Sequence, residues 1–463
     1  MHFASRITNY VLHITHFALL LTLLSSCKVG KPYVRPELAL PDSLNACADS
    51  ISFADRDWRY VYRDTVLVAL IDSALAHNSD VNVAAARVRE MAYRRRISLS
   101  KMLPGFDGRV GDKYERENHG GDNLSAGNTF DIQLLLSWEL DIWGNARWKR
   151  VEDQAKYLAT VEGARALQMT IISEVASAYY RLVALDTELD IVRRTLTARE
   201  EGVRIARSRF EGGLTSETSY RQALVEQART ATLVPDLERR IAIQQNEIAF
   251  LTGRFPSAIL RGNLTDSLAL PDVISTGMPS GLLERRPDIR RAEQDLIAAN
   301  ARIGIAFTDM FPRIRISAGA GVEALDITTI FRSPYEIITG TLLAPIFNWG
   351  RLRFTWKAER EAYEAQVHTY TKTVLNAFRE TDNALVNYDK IREVYRLRAA
   401  HEESARSYLQ LANLQYINGV INYMDVLDAQ RSYFDAQIAL SNAMRDQLLA
   451  VVALYKALGG GWQ

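Results

Sequence analysis

A mainly α-helical chain with a small transmembrane β part is the fold class this sequence predicts, and three observations carry it. Four short stretches alternate apolar and polar residues, most of the remainder carries helical periodicity, and the plan is written twice as an internal tandem repeat. Four strands cannot close a barrel, yet a strand with one apolar and one polar face needs a closed ring to lie in lipid. The chain therefore reads as a fraction of a membrane channel. A soluble half-buried sheet alternates in the same way, so the strands alone leave both readings open.

The first residues have a secretory shape: Arg6, an apolar run from Val11 to Leu24, then small residues. A run of about 14 residues is too short to span a bilayer as a helix. Leu24-Ser25-Ser26-Cys27 resembles the bacterial lipobox, in which the cysteine is diacylated and becomes the new N-terminus. Residues 1–26 are then a lipoprotein signal peptide, and Cys27 is the lipidation site that ties the chain to membrane lipid. An ordinary signal peptide followed by a chance cysteine is the alternative. Only Cys47 remains besides Cys27, so no disulfide framework is expected.

The chain is 48% hydrophobic and 24% charged over 463 residues, a composition of ordered proteins. It carries 56 basic and 55 acidic residues, and Arg6 is the only charged residue before Cys27, so the remainder balances at zero. A neutral chain lacks the electrostatic footprint of a nucleic-acid binder.

Trp143-Gly144 recurs as Trp349-Gly350, a shift of 206 residues. The same shift pairs Arg147 with Arg353, Glu174 with Glu380, Phe210 with Tyr416, Gly213 with Gly419, Ala223 with Ala429 and Gly253 with Gly459; upstream, a shift of 208 pairs Asp80 with Asp288 and Pro104 with Pro312. Each half reads as helix, strand, strand, very long helix, tight turn, helix. In the first repeat, 66–253, these are about Val66–Met102, Gly105–Glu115, Thr129–Leu140, Ile142–Phe210, Gly212–Ser216 and Glu217–Leu251. In the second, 281–459, they are about Gly281–Met310, Arg313–Ala324, Glu336–Phe347, Asn348–Tyr416, Asn418–Asn422 and Tyr423–Leu458. A lipidated belt segment at 27–65, an equatorial linker at 254–280 and a tail at 460–463 lie outside the repeat.

The strands justify the membrane reading. Phe130, Ile132, Leu134, Leu136 and Trp138 share one face of the second strand; Ile314, Ile316, Ala318, Ala320 and Val322 share one face of the third. Glu336–Phe347 is apolar on both faces around Leu342-Leu343. At roughly 10 to 12 residues, these segments match tilted transmembrane strands. Trp138, Trp143, Phe347 and Trp349 sit where strands meet helices, as an aromatic girdle does. The first long helix would measure roughly 100 Å at 1.5 Å per residue. Val175, Ala178, Leu182, Leu185, Leu189, Val192 and Leu196 on it alternate steps of three and four, the spacing of laterally packed coiled helices. Pro235 is expected to kink the returning helix.

Three motifs carry a family resemblance across essentially the mature chain. They are Cys27-Lys28-Val29-Gly30-Lys31-Pro32-Tyr33-Val34-Arg35-Pro36 at the start, Leu283-Glu284-Arg285-Arg286-Pro287-Asp288-Ile289 opening the second repeat, and Tyr423-Met424-Asp425-Val426-Leu427-Asp428-Ala429-Gln430-Arg431 after the second helical turn. Together they resemble the TolC-like outer membrane efflux proteins, within them the lipidated (NodT-like) outer membrane factors of RND-type pumps. Lys31, between Gly30 and Pro32, departs from that pattern.

The resemblance implies a homotrimer. Its twelve-stranded outer-membrane β-barrel, four strands per chain, continues into a long periplasmic α-helical barrel. A periplasmic adaptor (membrane fusion) protein docks at the helical tips and bridges to an inner-membrane RND-type transporter. The positions matching the family's periplasmic gate are Met424, Asp428 and Arg431, with Asp425 as a second carboxylate; steps of four and three put the first three on one helix face. Three copies turn each into a ring, and apolar and charged rings gate channels. An ordinary surface pair between Asp428 and Arg431 is the plainer reading. The tips match Gly213, Leu214 and Thr215 in one turn and Gly419, Val420 and Ile421 in the other. Their glycines permit the left-handed backbone of a tight helical hairpin, and exposed apolar residues beside them suit a docking surface.

The sequence carries no Gly-rich phosphate loop, nucleophile elbow or Cys/His metal spacing, and its eight methionines do not cluster. No enzyme, metal or cofactor beyond the covalent lipid is expected. The rival readings are a polypeptide (type I) secretion duct of the same fold and a lipid-anchored coiled-coil scaffold without a pore.

Overall fold

The computed structural model describes residues 28–40, 52–117, 125–262 and 279–462. The elements run α1 (Thr65–His77), α2 (Ser79–Ser100), β1 (Gly105–Glu117), β2 (Ser125–Leu140), α3 (Asn145–Glu211), α4 (Glu217–Leu251), α5 (Pro279–Arg285), α6 (Pro287–Thr308), β3 (Arg313–Ala324), β4 (Pro334–Leu343), α7 (Arg351–Ile417) and α8 (Tyr423–Ala457). One plan of two helices, two strands, a long helix and a returning helix thus occurs twice. The two long helices have 67 residues each and the two returning helices 35 each.

Each repeat opens with two helices where the periodicity predicts one. In the first, Asn78 ends α1: its Oδ1 accepts from the backbone of Asp80 and Val81 at 2.9 and 3.2 Å, capping α2. In the second, Pro287 starts α6 and disfavours a helical backbone at Arg286. These break residues are equivalent under the 208-residue shift, and their side chains do the same work. Asn78 Nδ2 donates to the carbonyl of Leu251 at 2.9 Å, and Arg286 Nη1 donates to that of Ala457 at 3.1 Å. Each thereby supplies a partner to the last carbonyl of the returning helix, which has none inside the helix. Helix α4 runs through Pro235 unbroken.

The chain divides into two compact units. Among the described residues, one comprises 28–37, 87–117, 125–161 and 291–371, the other 38–40, 52–86, 162–262, 279–290 and 372–462. The first holds one antiparallel sheet in the order β1-β2-β3-β4, so the two repeats meet at the β2–β3 pairing. Strand β4 ends at Leu343 rather than at the expected Phe347, because Pro345 cannot donate to a ladder.

The second unit holds the large core. Leu67, Ile71, Tyr179, Leu182, Tyr388, Leu454 and Tyr455 are almost fully buried in it. Of the seven α3 residues with coiled-coil spacing, six are buried, with Leu196 only partly covered. Residues just before α1 are pinned here. Asp64 caps α1 through Val66 at 2.8 Å and accepts from Tyr179 Oη at 2.7 Å, while Tyr455 Oη donates to the carbonyl of Arg56 at 2.6 Å.

Candidate functional site

Strand register fixes the two faces of the sheet. Phe106, Leu136, Ala318 and Ile338 stand in one row, and Val110, Ile132, Val322 and Pro334 in another row of the same face. Trp138 stands opposite Ile316 on that face, and Leu140 opposite Ile314 and, through it, Leu342. The intervening positions build the other face: Arg109, Gln133, Gly321 and Tyr335 form one row, and Glu139 lies opposite Arg315. Polar contacts cross this second face. Gln133 donates to Asp131 at 2.9 Å, Arg109 lies 3.8 Å from Asp131, and Arg315 lies 3.5 Å from Glu139. The sheet is therefore mainly apolar on one side, with Asp112 and Glu336 among its charged exceptions, and mainly hydrogen-bonded and charged on the other, where Leu135 and Ile337 also stand; within the chain β1 and β4 each pair along one edge only.

At the strand–helix junctions, Trp138 Nε1 donates to the Met102 carbonyl at 3.1 Å and Trp143 Nε1 to that of Pro312 at 2.7 Å. Trp143 also stacks on Phe311 at 4.9 Å. Phe347 and Trp349 are the exposed pair of the expected girdle, with ring centroids 4.7 Å apart.

Cys27 lies outside the described residues, but the segment after it is firmly held. Val29 donates its backbone N–H to Trp143 at 3.2 Å and accepts from Trp148 Nε1 at 2.7 Å. Lys28 Nζ stands 3.4 Å over the Trp148 ring, where burial and the neighbouring Arg147 charge lower its pKa. Arg35 grips Glu293 in two bonds of 2.6 and 2.7 Å. Gly304 makes room for Trp148, since a Cβ there would sit 2.4 Å from the indole.

The two tips are built alike. Gly213 and Gly419 have φ of +71° and +74°. Each donates to the carbonyl three residues back, and the next residue, Leu214 or Val420, donates to the carbonyl five back, at 2.8 and 2.9 Å. This is the Schellman pattern, which satisfies helix-end carbonyls and needs a left-handed residue at the glycine. Leu214 and Val420 are then 72% and 69% exposed, whereas Ile421 packs on the tip cluster of Ala206, Ala223, Tyr423, Val426 and Leu427. Thr215 is half-buried, and its hydroxyl has no partner.

On α8, Tyr423, Val426, Leu427 and Ala429 are buried, and Met424, Asp425 and Asp428 are exposed on the opposite side, with Arg431 half-exposed above them. Asp425 has a local task. Its carboxylate accepts from the Asn422 backbone at 3.0 Å, closing a capping box at the helix start. Arg431 does not pair with Asp428. Its Nη2 donates to Glu226 Oε1 at 2.6 Å, so the plainer expectation of an Asp428–Arg431 surface pair gives way to a bond between the two returning helices.

Glu226, on α4, is the residue that sequence reasoning missed, together with Arg199 on α3. Arg199 Nη1 donates to the second carboxylate oxygen of Glu226 and, at 3.0 Å, to its backbone carbonyl. Burial alone would raise the Glu226 pKa, but the hydrogen bonds from Arg431 and Arg199 outweigh it and hold the carboxyl below its usual range. Nothing in the local sequence distinguishes Glu226 from other helical glutamates. Only its spacing from the buried Ala223 and Thr230 hints that it turns inward. Among the described residues, no group of three His, Cys, Asp or Glu is placed to hold a metal ion.

The sequence model of the outer membrane efflux protein family matches residues 70–254 and 278–460. The solvent efflux pump outer membrane protein SrpC of Pseudomonas putida is 34% identical over 411 residues, covering 87% of this chain and 86% of its own length. Outer membrane protein OprJ of Pseudomonas aeruginosa is 32% identical over 467 residues, covering 96% and 95%. The solved outer-membrane channel OprN superposes with a TM-score of 0.88 at 28% identity, over 94% of this chain and 100% of that one. By sequence over most of its length and by fold, this chain belongs to the outer membrane efflux protein family.

Proposed function

We propose that the chain is the passive outer-membrane channel of a tripartite efflux pump, assembled from three copies. One observation carries the reading: a four-stranded sheet with one mainly apolar and one mainly polar face and two edges left unpaired within the chain. An open sheet edge is not tolerated in the hydrocarbon of a bilayer, so the edges join those of other copies. Three copies give twelve strands, with the apolar face to lipid and the polar face to the lumen. The long helices continue as the wall of a periplasmic tunnel.

Lipid on Cys27 holds the N-terminal segment at the membrane. The exposed tip residues Leu214 and Val420, with Gly213, Thr215, Gly419 and Ile421 shaping the turns, receive a periplasmic adaptor. That adaptor links the channel to an inner-membrane transporter of the RND type, which supplies the energy. Met424, Asp425, Asp428 and Arg431 form the closing rings. The channel does no chemistry on its cargo and carries no cofactor beyond the lipid.

The cargo is a class of small toxic solutes. Relatives are named for solvents, for pyoverdine and for cations, so the shared architecture serves several chemistries. The test is deletion of the protein, followed by growth on solvents, drugs, bile salts, dyes and metals. Loss of tolerance restored by the wild type, but not by Gly419→Trp, is expected. Unchanged tolerance across the panel would contradict the efflux role.

A further inference from the structure

Helices α3, α4 and α8 line a half-open cavity of about 460 Å³, within the range of small-molecule sites. Its floor is apolar, formed by Val192, Leu233, Leu237, Phe434, Ile438 and Ala439. Its walls carry four guanidinium groups, Arg199, Arg229, Arg240 and Arg431. Arg199 and Arg431 share the single carboxylate of Glu226, so two positive charges meet one negative charge. The Arg199 side chain is only 5% exposed, and its Nε has no hydrogen-bond partner. Arg229 makes no side-chain bond or ion pair with any described residue, and Arg240 reaches Glu188 only at 3.9 Å. Of the three acids in the lining, Glu188 faces Arg240, Asp236 is held by Arg239 at 2.7 Å, and Asp435 stands exposed without a partner among the described residues.

A buried Arg199 and a half-exposed Arg431 sharing one carboxylate, beside an unpartnered guanidinium at the exposed Arg229 and an apolar floor, have one complement. We propose that this cavity binds an amphipathic organic anion, a carboxylate or sulfonate on an apolar body. The head group sits on Arg229 and the outer side of Arg431, since a guanidinium fork matches a carboxylate in two parallel bonds. The body lies on Phe434, Leu233 and Ile438. Asp435 opposes the anion and limits its affinity. The inference rests on this cavity alone and does not require the channel reading.

The test titrates the purified full-length protein in lipid nanodiscs with 8-anilino-1-naphthalenesulfonate, using the neutral N-phenyl-1-naphthylamine as control. One saturable site per chain is expected for the sulfonate. Arg229→Gln weakens it about tenfold, the loss of one charge-assisted contact, and Asp435→Asn tightens it. Binding of the neutral amine responds to neither change. Both substitutions are at exposed positions, so the fold is retained. Sulfonate affinity that is the same in wild type and both variants, or equal saturable binding of the neutral amine, overturns the proposal. Native mass spectrometry of the protein as purified separates two sources of the anion: a co-purified fatty acid identifies a membrane-derived ligand, and an empty cavity that fills on titration identifies a passing solute.

Discussion

Arg431 donates from Nε and Nη2 to the same oxygen of Glu226, at 3.0 and 2.6 Å, joining the returning helix of the second repeat to that of the first. The duplication does not require this bond. The 206-residue shift places Val225 opposite Arg431, Gln222 opposite Asp428 and Thr218 opposite Met424, so the charged stripe belongs to the second repeat alone. Removing Glu226 leaves Arg199 buried without its counter-charge. Glu226→Ala is expected to destabilise the protein by about 3 kcal/mol, against less than about 1 kcal/mol for Asp428→Asn at its exposed position. Denaturant unfolding checks the difference.

The depressed Glu226 pKa sets the sign of a pH effect. A carboxyl whose folded pKa lies below its unfolded value contributes stability above the unfolded pKa, about 4.3, and loses it as pH falls through the folded one. Wild type is expected to lose stability more steeply than Glu226→Gln as pH drops below about 4. Parallel curves for the two proteins would mean that the carboxylate contributes nothing through its charge.

The sheet makes a face-specific prediction. Leu134 stands on the mainly apolar face between Gly108 and Ala320, in a row that ends at Glu336 on β4, while its neighbour Gln133 lies between Arg109 and Gly321 on the polar face. Leu134→Arg is expected to cost about 2–4 kcal/mol in lipid and to reduce the amount of protein recovered in the outer membrane. Gln133→Arg is expected to leave that amount unchanged. Quantifying the protein in isolated outer membranes separates the two.

Much of this architecture is legible in the sequence, and for identifiable reasons. Strand β3 is legible to the residue because Ile314 to Val322 alternate strictly, and the flanking turn residues bound α4 correctly. The breaks at Asn78 and Arg286 are hidden, because helical periodicity continues across both and only the cap at Asn78 and Pro287 interrupt it. Strand β4 is shorter than its pattern suggests because apolar residues continue past Pro345. A motif singles out Arg431 but not its partner. Glu226 lies 205 residues away on another helix, and no local spacing reports a contact of that kind.

The tips are expected to tolerate alanine and to expose a bulkier probe. A Cβ at Gly213 or Gly419 would meet nothing within 4 Å, so Gly419→Ala bears only the left-handed backbone cost of roughly 1–2 kcal/mol. Gly419→Trp projects into open space and is expected to fold and to abolish site-specific cross-linking to the adaptor. Cross-linking at wild-type yield would remove the tips as the docking surface.

Cys27→Ser is expected to abolish labelling by a palmitate analogue while leaving the protein in the outer membrane. The contacts of Val29 with Trp148 and of Arg35 with Glu293 hold residues 28–35 through the protein itself. Persistent labelling of the serine variant would place the acyl chain elsewhere.

Whether three copies of this sheet close a pore is decided by single-channel recording of the purified full-length protein in a planar lipid bilayer. A closed ring predicts discrete conductance steps, small in the wild type and larger when Asp428→Ala is combined with Arg431→Ala. A bilayer that stays silent with both proteins, at protein densities where insertion is verified, would contradict the channel.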